Sequence, residues 1–67
     1  MNIQVRLGKN LRRLRMEKDL SQEAFAYEAK IHRTYVSDLE RGARNPTIRL
    51  IEKLALALDV KASQPLD

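Results

Sequence analysis

The sequence predicts an all-α fold, a compact bundle of four to five helices. Three observations carry this expectation. Leu, Ala, Arg, Lys and Glu dominate the 67 residues while Val and Ile are few, a balance that favours helix over strand. Gly and Pro number only two each. Apolar residues recur at intervals of three and four along most of the chain, the spacing of a helix with one buried face.

Each element follows from the local pattern. Ile3, Leu7, Leu11 and Leu14 form one stripe and predict a first helix from about Ile3 to Lys18, broken at Asp19-Leu20. Ser21 is a suitable N-cap for a short second helix over Gln22–Ala29, with Phe25, Ala26 and Ala29 inward and Glu23 in the first turn, where the helix dipole favours an acid. Only Lys30-Ile31-His32 separates it from a third helix, about Arg33 to Arg41, whose inward pair is Val36 and Leu39. Gly42 suits the position just past a helix end. After the loop Gly42-Ala43-Arg44-Asn45-Pro46, Thr47 caps a fourth helix to about Leu58, with Ile48, Ile51, Leu54, Ala55 and Leu58 on its buried face. Pro65 argues against a long fifth helix. Residues 1–61 are expected to form one domain and 62–67 a short C-terminal tail.

Size and composition restrict function. A domain of this size buries only roughly 60% of the surface its unfolded chain exposes, so pairing with a second copy would help it. The absence of cysteine removes disulfides, thiolate metal sites and a cysteine nucleophile, and fits a reducing compartment. The single histidine, His32, lacks the partners of a metal site, so no metal and no cofactor is expected. No apolar run approaches the roughly 20 residues of a membrane span, and charges stand where a signal peptide needs an apolar stretch. A soluble, cytoplasmic protein without a membrane partner is expected. The formal charge of +4 suits either ordinary solubility or a surface that meets phosphate. Glu17 with Asp19, and Asp38 with Glu40, are the acid pairs a catalyst would need. At this spacing Asp38 and Glu40 do not face each other on a helix, and no nucleophile with a base accompanies them. No enzyme and no small-molecule substrate is expected.

The informative stretch is Gln22–Arg41, QEAFAYEAKIHRTYVSDLER. Two helices joined by so short a turn must cross steeply. Ala26 supplies the small residue at the crossing, Ile31 the apolar plug of the turn, and Val36 with Leu39 the inward side of the second helix. Arg33, Thr34, Ser37, Asp38 and Arg41 are left to face outward, mostly short or hydrogen-bonding side chains suited to a major groove.

The run SQEAFAYEAKIHRTYVSDLERGARNP, followed by TIRLIEKLALALDV, resembles the Cro/phage-repressor class of helix-turn-helix domains, the XRE family with its lambda-repressor-like fold. The similarity spans about Leu7 to Val60, carried by Ser21-Gln22-Glu23, Ala26, Val36-Ser37, Leu39-Glu40-Arg41-Gly42 and Asn45-Pro46. LGKNLRRLRMEKDLSQE further resembles the restriction–modification controller subgroup, with prophage regulators and antitoxins as neighbouring subgroups. The resemblance implies transcription regulation through dimeric binding to a palindromic operator in double-stranded DNA. A second class of function is a protein-interaction module, such as an antitoxin whose main partner is a toxin; a third is a structural bundle with no nucleic-acid role.

The resemblance also implies residue roles. Arg33, Thr34, Ser37 and Asp38 are the expected base readers; Ser37 can instead bond phosphate, and Asp38 can instead hold an arginine in position. Gln22, His32, Tyr35, Arg41, Arg44, Asn45 and Arg49 are the expected phosphate contacts. For His32 a weak helix cap is the alternative, and for Tyr35 packing against a neighbouring helix. Arg12 and Arg13 either touch a flanking phosphate or keep the surface charged. Arg15 and Glu40 are expected to form a structural ion pair. The sequence departs from the family's pattern at Lys30, where Gly is usual and positive φ costs another residue on the order of 1 kcal/mol. Little chain follows Val60, where many relatives form a fifth helix used for pairing. Leu56, Leu58, Val60 and Leu66 are therefore candidates either for a dimer surface or for completing the core.

Overall fold

A computed structural model describes residues 2–67 and places four α-helices in the expected order. They are α1 (Ile3–Glu17), α2 (Gln22–Ala29), α3 (Arg33–Glu40) and α4 (Ile48–Ala57), followed by a single 3-10 turn at Gln64–Leu66. No strand occurs among the described residues.

Each helix starts on a side-chain cap. Asn2 Oδ1 accepts from the Gln4 N–H at 2.7 Å, Ser21 Oγ from Ala24 at 3.0 Å, His32 Nδ1 from Thr34 at 3.2 Å and Thr47 Oγ1 from Leu50 at 3.1 Å. Such caps satisfy N–H groups that have no partner in the first turn and contribute typically about 1 kcal/mol each.

All four helices also end alike. A left-handed residue closes each one, namely Asp19 (φ 57°), Lys30 (φ 58°), Gly42 (φ 75°) and Asp59 (φ 56°). The N–H after it bonds back five residues, as in Leu20 to Arg15 O at 3.1 Å, Ile31 to Ala26 O at 3.0 Å and Val60 to Ala55 O at 3.0 Å. Leu20, Ile31 and Val60 then fold onto the core, giving the apolar contact that accompanies this kind of helix end. The left-handed conformation expected at Lys30 is present. Asp19 and Asp59 carry the same conformation more readily, because a short polar side chain tolerates it.

The core is built from Leu7, Leu11 and Leu14 of α1, Phe25, Ala26 and Ala29 of α2, Val36 and Leu39 of α3, and Leu54 of α4 with Leu58 just beyond it. Two expectations fail at helix starts. Ile3 is 56% and Ile48 86% exposed, although both follow the apolar spacing of their helices. Each sits in the first turn of its helix, where the apolar spacing continues but burial does not. Leu58 is buried and Val60 packs on the core, which settles them as core residues; Leu56 and Leu66 remain exposed. Residues 62–67 fold back along α1: Pro65 is buried, Asn10 Nδ2 donates to the Pro65 carbonyl at 2.9 Å, and Arg6 Nε donates to Asp67 O at 2.8 Å.

One close approach has no apolar signature. Gly8 faces the end of α3, and a Cβ there would stand 2.5 Å from Leu39 O and 2.7 Å from Glu40 O. Backbone, not a flexible side chain, occupies the space. The Gly8→Ala variant is expected to lose about 1–3 kcal/mol through this overlap, seen as a lower urea midpoint. Lys30→Gly should gain roughly 0.5–1 kcal/mol by relieving the left-handed conformation; a thermal melt that moves down instead would contradict the strain.

Candidate nucleic-acid interface

The presentation of α3 begins with the turn. Ile31 plugs it, Val36 and Leu39 turn α3 inward until they are fully buried, and Ala26 lets α2 come close. Arg33 and Thr34 then stand exposed on the outer face, with Ser37 and Asp38 half-buried beside them. The four expected base readers therefore share one side of α3, and no described segment covers Arg33 or Thr34.

A polar lock fixes α3 from behind. Arg15 Nε donates to Glu40 Oε2 at 2.6 Å and Arg15 Nη2 to Glu40 Oε1 at 3.0 Å. Arg15 Nη1 reaches the Leu20 carbonyl at 2.8 Å, and Gln22 Nε2 donates to Glu40 Oε1 at 3.1 Å. The Arg15 and Glu40 side chains are only 12% and 5% exposed. The expected ion pair is thus in place and is bidentate, and it joins α1, the α1–α2 turn, α2 and α3. Gln22, expected at a phosphate, spends one amide N–H on Glu40 and is half-buried; its second N–H remains available to a ligand.

A second cluster lies where α3 meets the following loop. Asp38 accepts from Arg41 through Oδ1 and from Arg44 Nε through Oδ2, the latter at 3.2 Å. These two hydrogen bonds, Arg41's the stronger, hold the Asp38 carboxyl below its ordinary range. The Arg44 guanidinium also lies over the Tyr35 ring, 4.7 Å from its centre. Of the two arrangements expected of Asp38, the structure adopts the one in which it holds arginines. Tyr35 packs partly on the core while its ring supports Arg44. His32 adopts the capping arrangement. Arg41, Arg44, Asn45 and Arg49 are all exposed and follow one another from the end of α3 to the first turn of α4.

The sequence offered an arginine held by Asp38 as one alternative but not that both Arg41 and Arg44 meet it, although the three-residue step from Asp38 to Arg41 is a helix-face spacing that signals a contact. Arg44 comes within reach only because the helix end at Gly42 turns the chain back. On α1, Arg13 pairs with Glu17 at 3.5 Å in an exposed position, and Lys9, Arg12, Arg13, Met16 and Glu17 border an open hollow along that helix. Among the described residues no group of acids and histidine is placed to hold a metal, and no helix is long and apolar enough to cross a membrane.

Two packed helices joined by a three-residue turn, sealed within and bare on the outer side of the second, define a helix-turn-helix domain. The helix-turn-helix family model matches residues 11–64. Control protein C.BamHI of Bacillus amyloliquefaciens is 45% identical over 67 residues, a match spanning 98% of this chain and 83% of that protein. The restriction-modification controller protein C.AhdI of Aeromonas hydrophila superposes with a TM-score of 0.90 at 44% identity, over 92% of this chain and 94% of that one. SinR, the master regulator for biofilm formation, solved in complex with DNA, superposes with a TM-score of 0.86 at 34% identity, over 91% and 98% of the two chains; it is a Bacillus subtilis protein. The chain belongs to the XRE-type helix-turn-helix family of transcription regulators.

The lock yields a direct expectation. Arg15→Ala leaves the Glu40 carboxylate buried without its counter-charge, so it should lose roughly 3–5 kcal/mol. A thermal melt coinciding with the unsubstituted protein would contradict the structural role given to Arg15.

Proposed function

We propose that the protein binds a palindromic operator in double-stranded DNA as a homodimer and regulates transcription from it, with α3 in the major groove. The observation that carries this is the bare outer face of α3, where Arg33 and Thr34 project from a helix whose other side is sealed into the core. Arg33 is the residue suited to a bidentate contact with guanine, Thr34 and Ser37 to base edges or phosphate. Arg41, Arg44, Asn45 and Arg49 form a basic edge alongside, suited to the phosphates that flank the groove. His32 and Gln22 stand at the starts of α3 and α2, and each keeps a side-chain donor beyond the bond it makes within the protein. The protein acts by binding, not by catalysis, and works in the bacterial cytoplasm where its DNA lies.

Two subunits reading a palindrome need half-sites roughly 34 Å apart, one turn of B-DNA. Leu56 and Leu66, the exposed pair among the residues considered for a dimer surface, are the places to look for the contact, together with Ile48. The similarity to C.BamHI and C.AhdI supports a narrower reading, in which the operator controls the genes of a restriction–modification pair. A methyltransferase gene and an endonuclease gene beside this one would support it; a toxin gene in that place would favour an antitoxin instead.

Selection of bound duplex from a random pool tests the proposal, and a two-fold symmetric consensus is expected. On that duplex Arg33→Ala should lose about 1–3 kcal/mol and relax the preference at one base pair. Arg44→Ala should weaken binding to every sequence and make the slope of log K against log salt shallower by about 1. Identical behaviour of the two variants on selected and scrambled duplex would overturn this division of roles.

A further inference from the structure

Asp38 is an acid on the face that the proposed function turns toward a polyanion. An acid there weakens non-specific attraction to phosphate, so its place needs a reason. The geometry gives one. The carboxylate is 17% exposed and each of its oxygens meets a different arginine. Toward Arg44 it bonds Nε alone. That contact fixes the guanidinium plane and leaves the four N–H groups on its two terminal nitrogens free. The Tyr35 ring covers one face of the same guanidinium. The backbone beneath is fixed as well, since the Ala43 N–H donates to the Asp38 carbonyl at 2.9 Å and the Gly42 N–H to Leu39 O at 3.1 Å. Arg44 is therefore held at one edge and one face while its side chain stays 49% exposed. A long cationic side chain normally loses rotamer freedom when it binds. Here much of that loss has already occurred in the free protein.

Resting on the proposed DNA-binding role, we propose that Asp38 is a positioning residue that sets the ratio of operator to non-specific binding, by aligning Arg44 through its Nε while offsetting part of the positive charge of Arg41 and Arg44. On an arbitrary sequence the restrained Arg44 meets phosphates that are out of place, and the Asp38 charge adds repulsion. On the operator the aligned donors meet phosphates in register. The alignment widens the gap between the two kinds of DNA, while the charge lowers the attraction to both.

The test uses the intact protein, the duplex selected by the unsubstituted chain, and a scrambled duplex of the same length. Asp38→Asn keeps the shape and removes the charge. Near the C-terminal end of α3 the loss of an acid does not oppose the helix dipole, so the variant should fold, as circular dichroism would verify. In about 0.1 M salt it is expected to bind scrambled duplex roughly 3–10-fold more tightly, with a steeper salt slope. Its ratio of selected to scrambled affinity should fall roughly ten-fold. Repeating the substitution in an Arg44→Ala background separates alignment from charge, because residues that act through one another do not add. The fall in ratio should shrink to about two-fold or less there. An unchanged ratio in Asp38→Asn, or the same fall in both backgrounds, overturns the inference alone. Failure of the unsubstituted protein to enrich any duplex overturns the DNA-binding reading and this inference together.

Discussion

The bidentate contact between Arg15 and Glu40 is the constraint on which the arrangement depends. Four elements converge on it: the last turn of α1, the Leu20 carbonyl of the first turn, Gln22 at the start of α2 and the last residue of α3. Apolar packing is non-directional and would tolerate some rotation of α3 about its axis. A planar guanidinium meeting a carboxylate through two bonds tolerates little. The pair is nearly buried, so its attraction is largely offset by the loss of hydration, and its net contribution to stability is small. Its effect is to fix which way α3 faces. Gly8 serves the same end from the backbone side, by letting α1 come against the carbonyls of Leu39 and Glu40.

From that fixed orientation the charge distribution of the outer face follows. Arg33 and Thr34 are left bare by the burial of Val36 and Leu39. Gly42 reverses the chain after α3, and the reversal brings Arg44 back over Tyr35 and beside Asp38. Arg41 and Arg44 are thus brought together at Asp38 by a helix end and not by sequence proximity alone. The formal charge of +4 is modest; where the positive groups stand matters more for recognition than their number.

Much of this was legible in the sequence, and the rest was hidden for identifiable reasons. Three-and-four spacing located all four helices, and Ser21 and Thr47 marked two of their starts. The polar outer side of α3 followed from Val36 and Leu39. The Arg15–Glu40 pair came from family resemblance, since 25 residues separate its members and no local pattern links them. Periodicity misled at Ile3 and Ile48 because it reports angle around a helix and not height along the bundle. Gly8 lay unnoticed within a helical run, where glycine signals nothing until the opposing backbone is known. Asp19 looked like a break in a pattern; it is the left-handed end of α1, as Asp59 is of α4. Residues 62–67 are too few to show a period, yet Pro65 is buried against α1. The role of Asp38 was open between two arrangements, and only the position of Arg44 after the turn distinguishes them.

If the outer face of α3 and the basic edge after it form the surface that meets DNA, that surface should respond when DNA binds. Mapping backbone amide chemical shifts while the selected duplex is added to isotope-labelled protein tests this most directly. The largest changes are expected on residues 32–38 and 41–49, with the outward residues of α1, such as Arg12 and Met16, almost unmoved. Large changes on α1 or around Tyr27 and Glu28, with Arg33, Thr34 and Ser37 unaffected, would contradict it.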